Sequence, residues 1–221
     1  MRIRGSWSAA KLTTGLMRAN PNRAKRLTIF SALWQPMEGG AEKQLRQVAE
    51  ALIKCGWQVS VIAGAHRGLP SREVTSSGLL VRRVMPRFGP QRSGVPVKHD
   101  LFLQELAAAP ATRPSIVLGS LVSGASFAAM TYGRLLRLPT VLRLGGDDLA
   151  RTRGSVIGKA QGRYLVWSAD AIVVNADHLT SQLAGFKTRP GSIVRTIRNG
   201  VAGGRPISPD PASRDGMARR T

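Results

Sequence analysis

Two short glycine-bearing loops hold the residue types that could handle a phosphorylated ligand. Gly39-Gly40 stands between an apolar run and an amphipathic stretch, and Gly145-Gly-Asp-Asp148 follows a second apolar run. Glycine lets the backbone come close to a ligand, and a helix that starts at such a loop offers N–H groups to a phosphate. A plain turn would carry the same two glycines, so their surroundings must decide between the readings. Asp147 and Asp148 are neighbours whose side chains should diverge, and one of them could cap the segment that follows. No G-x-G-x-x-G is present, which disfavours a dinucleotide site. Gly154-Ser-Val-Ile-Gly158-Lys159-Ala160 misses a Walker A loop, with the wrong glycine spacing and no Ser or Thr after the lysine.

The remaining reactive residues are scattered. His66, His99 and His178 have no ligand spacing, so no metal site is expected. Cys55 is the single cysteine, which excludes an intramolecular disulfide; near the end of an amphipathic helix it reads as a buried packing residue. Ser8-Ala-Ala-Lys11 mimics a nucleophile motif without its partner motifs. Arg82-Arg83, Arg151 and Arg153 read singly as solvated.

The elements that must position the loops follow from periodicity. Leu27 to Leu33 is a short strand-forming run, and 34–40 is a loop. Leu45, Val48, Ala49, Leu52 and Ile53 then recur on one helical face, and Gly56 stands where a left-handed residue ends a helix. Further strands are expected at 58–63, 79–84, 115–118, 140–144, 171–174 and 192–197, with helices at 100–109, 124–136 and 156–167. Another helix should begin at Asp177, with that residue as its cap. Pro86 to Pro96 is too rich in Pro, Gly and Arg for a regular element. Alternating strands and helices give an α/β fold with a Rossmann-like, doubly wound, mostly parallel sheet.

Four stretches, in order, resemble the family-four GT-B glycosyltransferases. Glu38-Gly-Gly-Ala-Glu42 with its helix and the strand to Ile62 is similar to their opening, with Trp57 where the family has His. Thr140 to Leu149 resembles their strand and His-Gly-x-Asp loop, with Gly145 in the place of the His. Ser168 to Leu179 resembles their Ala-Asp strand and Ser-Glu-x-Leu helix start. Ile197-Arg-Asn-Gly-Val201 resembles the Pro-Asn-Gly-Val that leads to the interdomain hinge, with Arg198 for Pro and Ala202 for the usual Asp. The resemblance implies the N-terminal, acceptor-side domain of a two-domain enzyme, the donor domain being absent from this sequence. Gly39 and Gly40 would approach the donor phosphates, Gly146 and Asp148 would form a second cleft loop, and Asn199-Gly200 would approach the hinge. Ser120 falls near a position often held by His. No cofactor is implied; a nucleotide-sugar enters as donor substrate, and a glycan or lipid-linked molecule as acceptor.

Composition bounds the partners. Of 221 residues, 43% are hydrophobic, enough for a buried core, and only 5% are aromatic. Thirty-three Lys and Arg against 12 Asp and Glu give +21, which fits an anionic membrane surface or nucleic acid. Few aromatics leave few stacking platforms, so no specific nucleic acid is expected. No apolar stretch is long enough to span a bilayer, which leads us to expect a cytoplasmic protein, peripheral at the inner membrane face. The expected organisation is a basic extension at 1–26, a Rossmann-like domain at 27–201 and a flexible Gly/Pro/Arg tail at 202–221. The functional expectation is the acceptor-binding half of a hexosyltransferase-type enzyme of polysaccharide biosynthesis, incomplete without a donor domain on a separate chain. The alternatives are a non-enzymatic binding subunit or gene fragment and, third, a basic nucleic-acid-binding protein.

Overall fold

The computed structural model describes residues 25–36, 39–66, 68–84, 100–146, 148–152, 154 and 156–198. The loop at Pro86 to Pro96, the tail and nearly all of the basic extension lie outside them. Strand β1 (Arg26–Ser31) leads to helix α1 (Gly40–Lys54) and strand β2 (Gln58–Gly64). Then come β3 (Arg72–Val74), β4 (Leu80–Val84), α2 (Asp100–Ala108), a 3-10 turn (Ala109–Thr112), β5 (Ile116–Ser120) and α3 (Gly124–Leu135). The chain continues through β6 (Thr140–Leu144), α4 (Asp148–Thr152), α5 (Val156–Ser168), β7 (Ala171–Val174), α6 (Asp177–Leu183) and β8 (Ile193–Thr196). The eight strands form one sheet in the order β3-β4-β2-β1-β5-β6-β7-β8. Every pairing is parallel except β3 with β4.

The central strands are covered on both faces, so they read as nearly unbroken apolar runs. In β1, Leu27 and Ile29 face one core with Val61, Val81, Leu45, Ala49 and Trp34. Phe30 faces the other, with Ile62, Val117, Leu142, Ile172 and the alanines of α3. Those alanines (Ala125, Ala128, Ala129) let α3 lie close to the sheet. Gly133 completes the approach: a Cβ there would collide with side-chain methyls of Thr140 and Val117.

Helix α1 forms where its stripe predicts, and Gly56 ends it with φ +81°. Val48, counted on that stripe, is 46% exposed, because the contact narrows to Leu45 and Ala49 with Leu52 and Ile53 at its flank. Cys55 is also exposed rather than buried, since it is the helix's C-cap and has left the packed face. Two charged positions differ in the opposite sense. Arg83 is buried: its guanidinium pairs with Glu73 at 2.8 Å and donates to the Pro70 carbonyl at 3.2 Å. Both partners belong to the short antiparallel strand β3 and its approach, an element that the sequence pattern did not reveal. Asp177 is not a cap, for Ala176 holds the N-cap position of α6; the Asp177 carboxylate accepts instead from Arg198 at 2.7 Å.

Candidate functional site

Parallel strands give the sheet two unlike edges, and the candidate residues cluster on one. The chain leaves β1 for β2 on one side and reaches β5 on the other, so the connection direction reverses between β1 and β5. Ligands in such sheets bind outside the carboxyl ends of the strands at that reversal.

The loop after β1 ends at Gly39, whose N–H donates to the Glu42 carboxylate at 2.9 Å. Glu42 thus closes the first turn of α1 from inside and is itself buried. The N–H groups of the next residues have no acceptor within the helix. A Cβ at Gly40 would meet nothing within 4 Å, so this face of the helix start is open. At Gly39 a Cβ would come 3.0 Å from Glu42 Oε2, so that glycine is explained by the cap alone.

Beside it, β5 ends at Ser120, which is buried. Its carbonyl accepts from the Ser126 hydroxyl at 2.8 Å and the Ser123 hydroxyl at 3.2 Å. Ser123 caps α3 by accepting from the Ser126 N–H at 3.2 Å. Leu121, between them, has φ +64°, unusual for a residue with a side chain, and its N–H donates to the Arg143 carbonyl at 2.8 Å. Gly119 lets this corner close, since a Cβ would come 2.8 Å from Ser126 Cα. Ser120 therefore contributes its backbone to a serine-lined corner.

After β6 the chain turns at Gly145 and Gly146. Gly146 has φ +68°, and a Cβ at Gly145 would come 3.2 Å from Asn175 Nδ2 in the next loop. Helix α4 begins at Asp148, whose side chain lies outside the described residues, as do Asp147, Asn199 and Gly200. The backbone carries the chain out of β8 on this same edge as far as Arg198. Gly39, Gly40, Ser120 and Gly146 thus share the carboxyl edge.

One residue of this edge had escaped the reading of motifs. Arg143 is buried in β6, between Leu142 and Leu144, and its Nη2 donates to Gln44 Oε1 at 2.6 Å. This ties a guanidinium of β6 to the second turn of α1, a helix whose free N–H groups at its start favour an anion. The signal was legible as a lone cation inside an otherwise apolar strand, Thr140-Val-Leu-Arg-Leu144.

Electrostatic perturbation lies elsewhere. Glu105 of α2 is fully buried, neither carboxylate oxygen has a hydrogen-bond partner among the described residues, and burial pushes its pKa up to about 8. Among the described residues no group of three His, Cys, Asp or Glu could hold a metal ion. No helix among them is long and apolar enough to cross a membrane. Two open depressions among the described residues, of about 310 and 420 Å³, lie on the opposite, amino edge.

Comparison with known proteins agrees with this geometry. A sucrose-phosphate synthase from Thermosynechococcus elongatus shares the fold, with TM-score 0.62 and 15% identity over 80% of this chain and 48% of that one. A second structure of that synthase gives TM-score 0.58 and 13% identity over 80% of this chain and 90% of that one. HepE of Anabaena, solved with UDP and glucose, gives TM-score 0.59 and 15% identity over 80% of this chain and 45% of that one. This chain therefore spans about half the length of two of these three structures. No curated protein sequence matches it. A family model matches residues 38–202, most of the chain, and runs from the Gly-Gly loop through β8: the chain belongs to Glycosyltransferase Family 4.

Proposed function

We propose that this domain is the acceptor-side half of an enzyme that transfers a sugar from a nucleotide-sugar to a glycan or lipid-linked acceptor. The observation that carries the reading is the convergence of the Gly39-Gly40 helix start, the Ser120 corner and the Gly146 turn on one sheet edge, at the strand-order reversal. Family membership and the UDP and glucose in HepE support it. In this reading the open N–H groups at Gly40 and the Arg143 guanidinium receive the donor's diphosphate. Gly146 and Asp148 form the second cleft wall, and Asn199-Gly200 lead toward the donor domain. Ser120 borders the acceptor. The chemistry asked of these groups is positioning and charge stabilisation, with water excluded by a second domain that closes the cleft.

The donor half comes from a separate chain or from sequence beyond this one, and a binding subunit without catalysis is the alternative. The high positive charge further favours peripheral association with an anionic membrane at its cytoplasmic face, in the synthesis of a polysaccharide. Transfer of labelled sugar would be measured for the chain alone and after addition of a donor-side domain. Activity only in the mixture supports the half-enzyme. Nucleotide-sugar binding without transfer in any mixture supports the binding subunit. No binding in either setting overturns the reading.

A further inference from the structure

The amino edge of the sheet has a character of its own. Each crossover helix returns the chain to the start of the next strand, so the ends of α3, α5 and α6 and the loops after them meet here. Cations dominate this edge. Arg134 in the last turn of α3 is what a helix dipole favours, and it lies 3.8 Å from Asp170. That account does not reach Arg113, Arg137 and Lys187, which lie in loops, or Arg163 on α5. None of these four forms an ion pair among the described residues. Arg113 and Arg137 moreover hold φ of 45° and 54°, a conformation where glycine or asparagine would be ordinary.

Among these cations stand bare apolar side chains. Leu135 is 69% exposed, Leu136 54% and Trp167 46%. They are connected: the Arg134 guanidinium lies over the Trp167 ring, 5.5 Å from its centre. Trp167 borders one depression with Arg163 and Lys187, and Leu136 borders the other with Arg26 and Arg113. Single exposed apolar residues need no explanation, but a cluster of them rimmed by unpaired cations marks a contact surface.

We propose that this amino edge is where the protein docks on an anionic phospholipid bilayer. Leucines and an indole enter the interfacial layer while long basic side chains keep their charges among the headgroups. A nucleic acid would use the cations and leave Leu135 and Leu136 without a partner. The inference rests on the membrane association proposed above and gives it a location. The carboxyl edge then faces away from the bilayer. A five-residue strand such as β6 spans roughly 17 Å, so the site opens at least that far from the headgroups. An acceptor reached there is the outer end of an extended lipid-linked chain, not the headgroup itself.

The test is sedimentation of the whole chain with vesicles of phosphatidylglycerol and phosphatidylcholine, against phosphatidylcholine alone. Arg163→Glu with Lys187→Glu should weaken binding to the anionic vesicles by about thirtyfold or more. Leu135→Ser with Leu136→Ser should weaken it with all charges kept. The control, Lys43→Glu with Arg198→Glu, makes the same change of charge at the start of α1 and past the end of β8, at the other edge, and should change little. Equal losses from both reversals overturn the assignment of this edge, as does binding that disappears only when residues 1–24 are deleted. No binding of the unaltered chain to anionic vesicles overturns the membrane reading itself. None of these outcomes bears on sugar transfer.

Discussion

The two edges of one sheet differ in what the backbone offers. The carboxyl edge gathers helix starts, glycines and short serine-lined turns; among its described cations Arg143 is buried and bonded to Gln44, and Arg198 pairs with Asp177. The amino edge gathers helix ends, exposed arginines and bare leucines, with Asp170 tied to Thr140 at 2.9 Å and Arg189 at 3.0 Å. The difference follows from chain direction. Parallel strands with crossover helices place the starts of the long crossover helices at one end and their C-termini at the other, so backbone dipoles alone make the two ends unlike. Small residues serve the first end, where backbone must approach a ligand. Long side chains serve the second, where a broad surface is met.

The largest expected effect breaks the packing behind the carboxyl edge. Gly119→Val drives a side chain into Ser126 of α3 and should cost about 3 kcal/mol of stability, read from urea melts. Gly40→Val, one loop away, meets open space and should leave stability within about 0.5 kcal/mol. It should still weaken nucleotide-sugar binding by about tenfold in the assembled enzyme, because the branched side chain shields the helix N–H groups. If both variants affect only stability, the carboxyl edge is scaffold and not site.

A second contrast sets the buried acid against the exposed bases. Glu105 carries its proton in the folded chain up to about pH 8, whereas in the unfolded chain it ionises near 4.5. The folded state therefore binds more protons between those values, and stability falls as pH rises through that window. Glu105→Gln removes the titration, and its advantage over the parent chain should reach the order of 3 kcal/mol above pH 8. Melts at pH 5 and pH 9 check this; parallel pH profiles of the two proteins would show that Glu105 finds a partner when ionised.

Much of this was legible in advance because period and order are local signals. β6 and β7 stand where their apolar runs predict, since a strand buried on both faces has a continuous apolar signature. β3 was not legible: Arg72-Glu-Val74 has no such run and exists because β4 offers an edge and Arg83 needs Glu73. Of the site, the glycines were visible because backbone demands limit the residue type. Arg143 was passed over because its role comes from Gln44, 99 positions earlier in the chain, which no spacing rule connects to it.

The smallest prediction concerns Asp177, at the carboxyl edge where the chain runs on toward Asn199. A capping aspartate is worth about 1 kcal/mol, while an exposed ion pair at the start of a helix is worth about 0.3–0.5. Here Ala176 holds the cap position and the Asp177 carboxylate lies on Arg198, with both side chains largely exposed. Asp177→Ala should therefore cost no more than about 0.5 kcal/mol, and less in high salt, where screening removes most of the pairing. Arg198→Ala and the double variant complete the cycle, in which the coupling should vanish with salt. A loss near 1 kcal/mol that ignores salt and persists in the Arg198→Ala background would restore the capping role. It would also mean that the turn after β7 rests on a side-chain cap, as the Ser123 turn after β5 does.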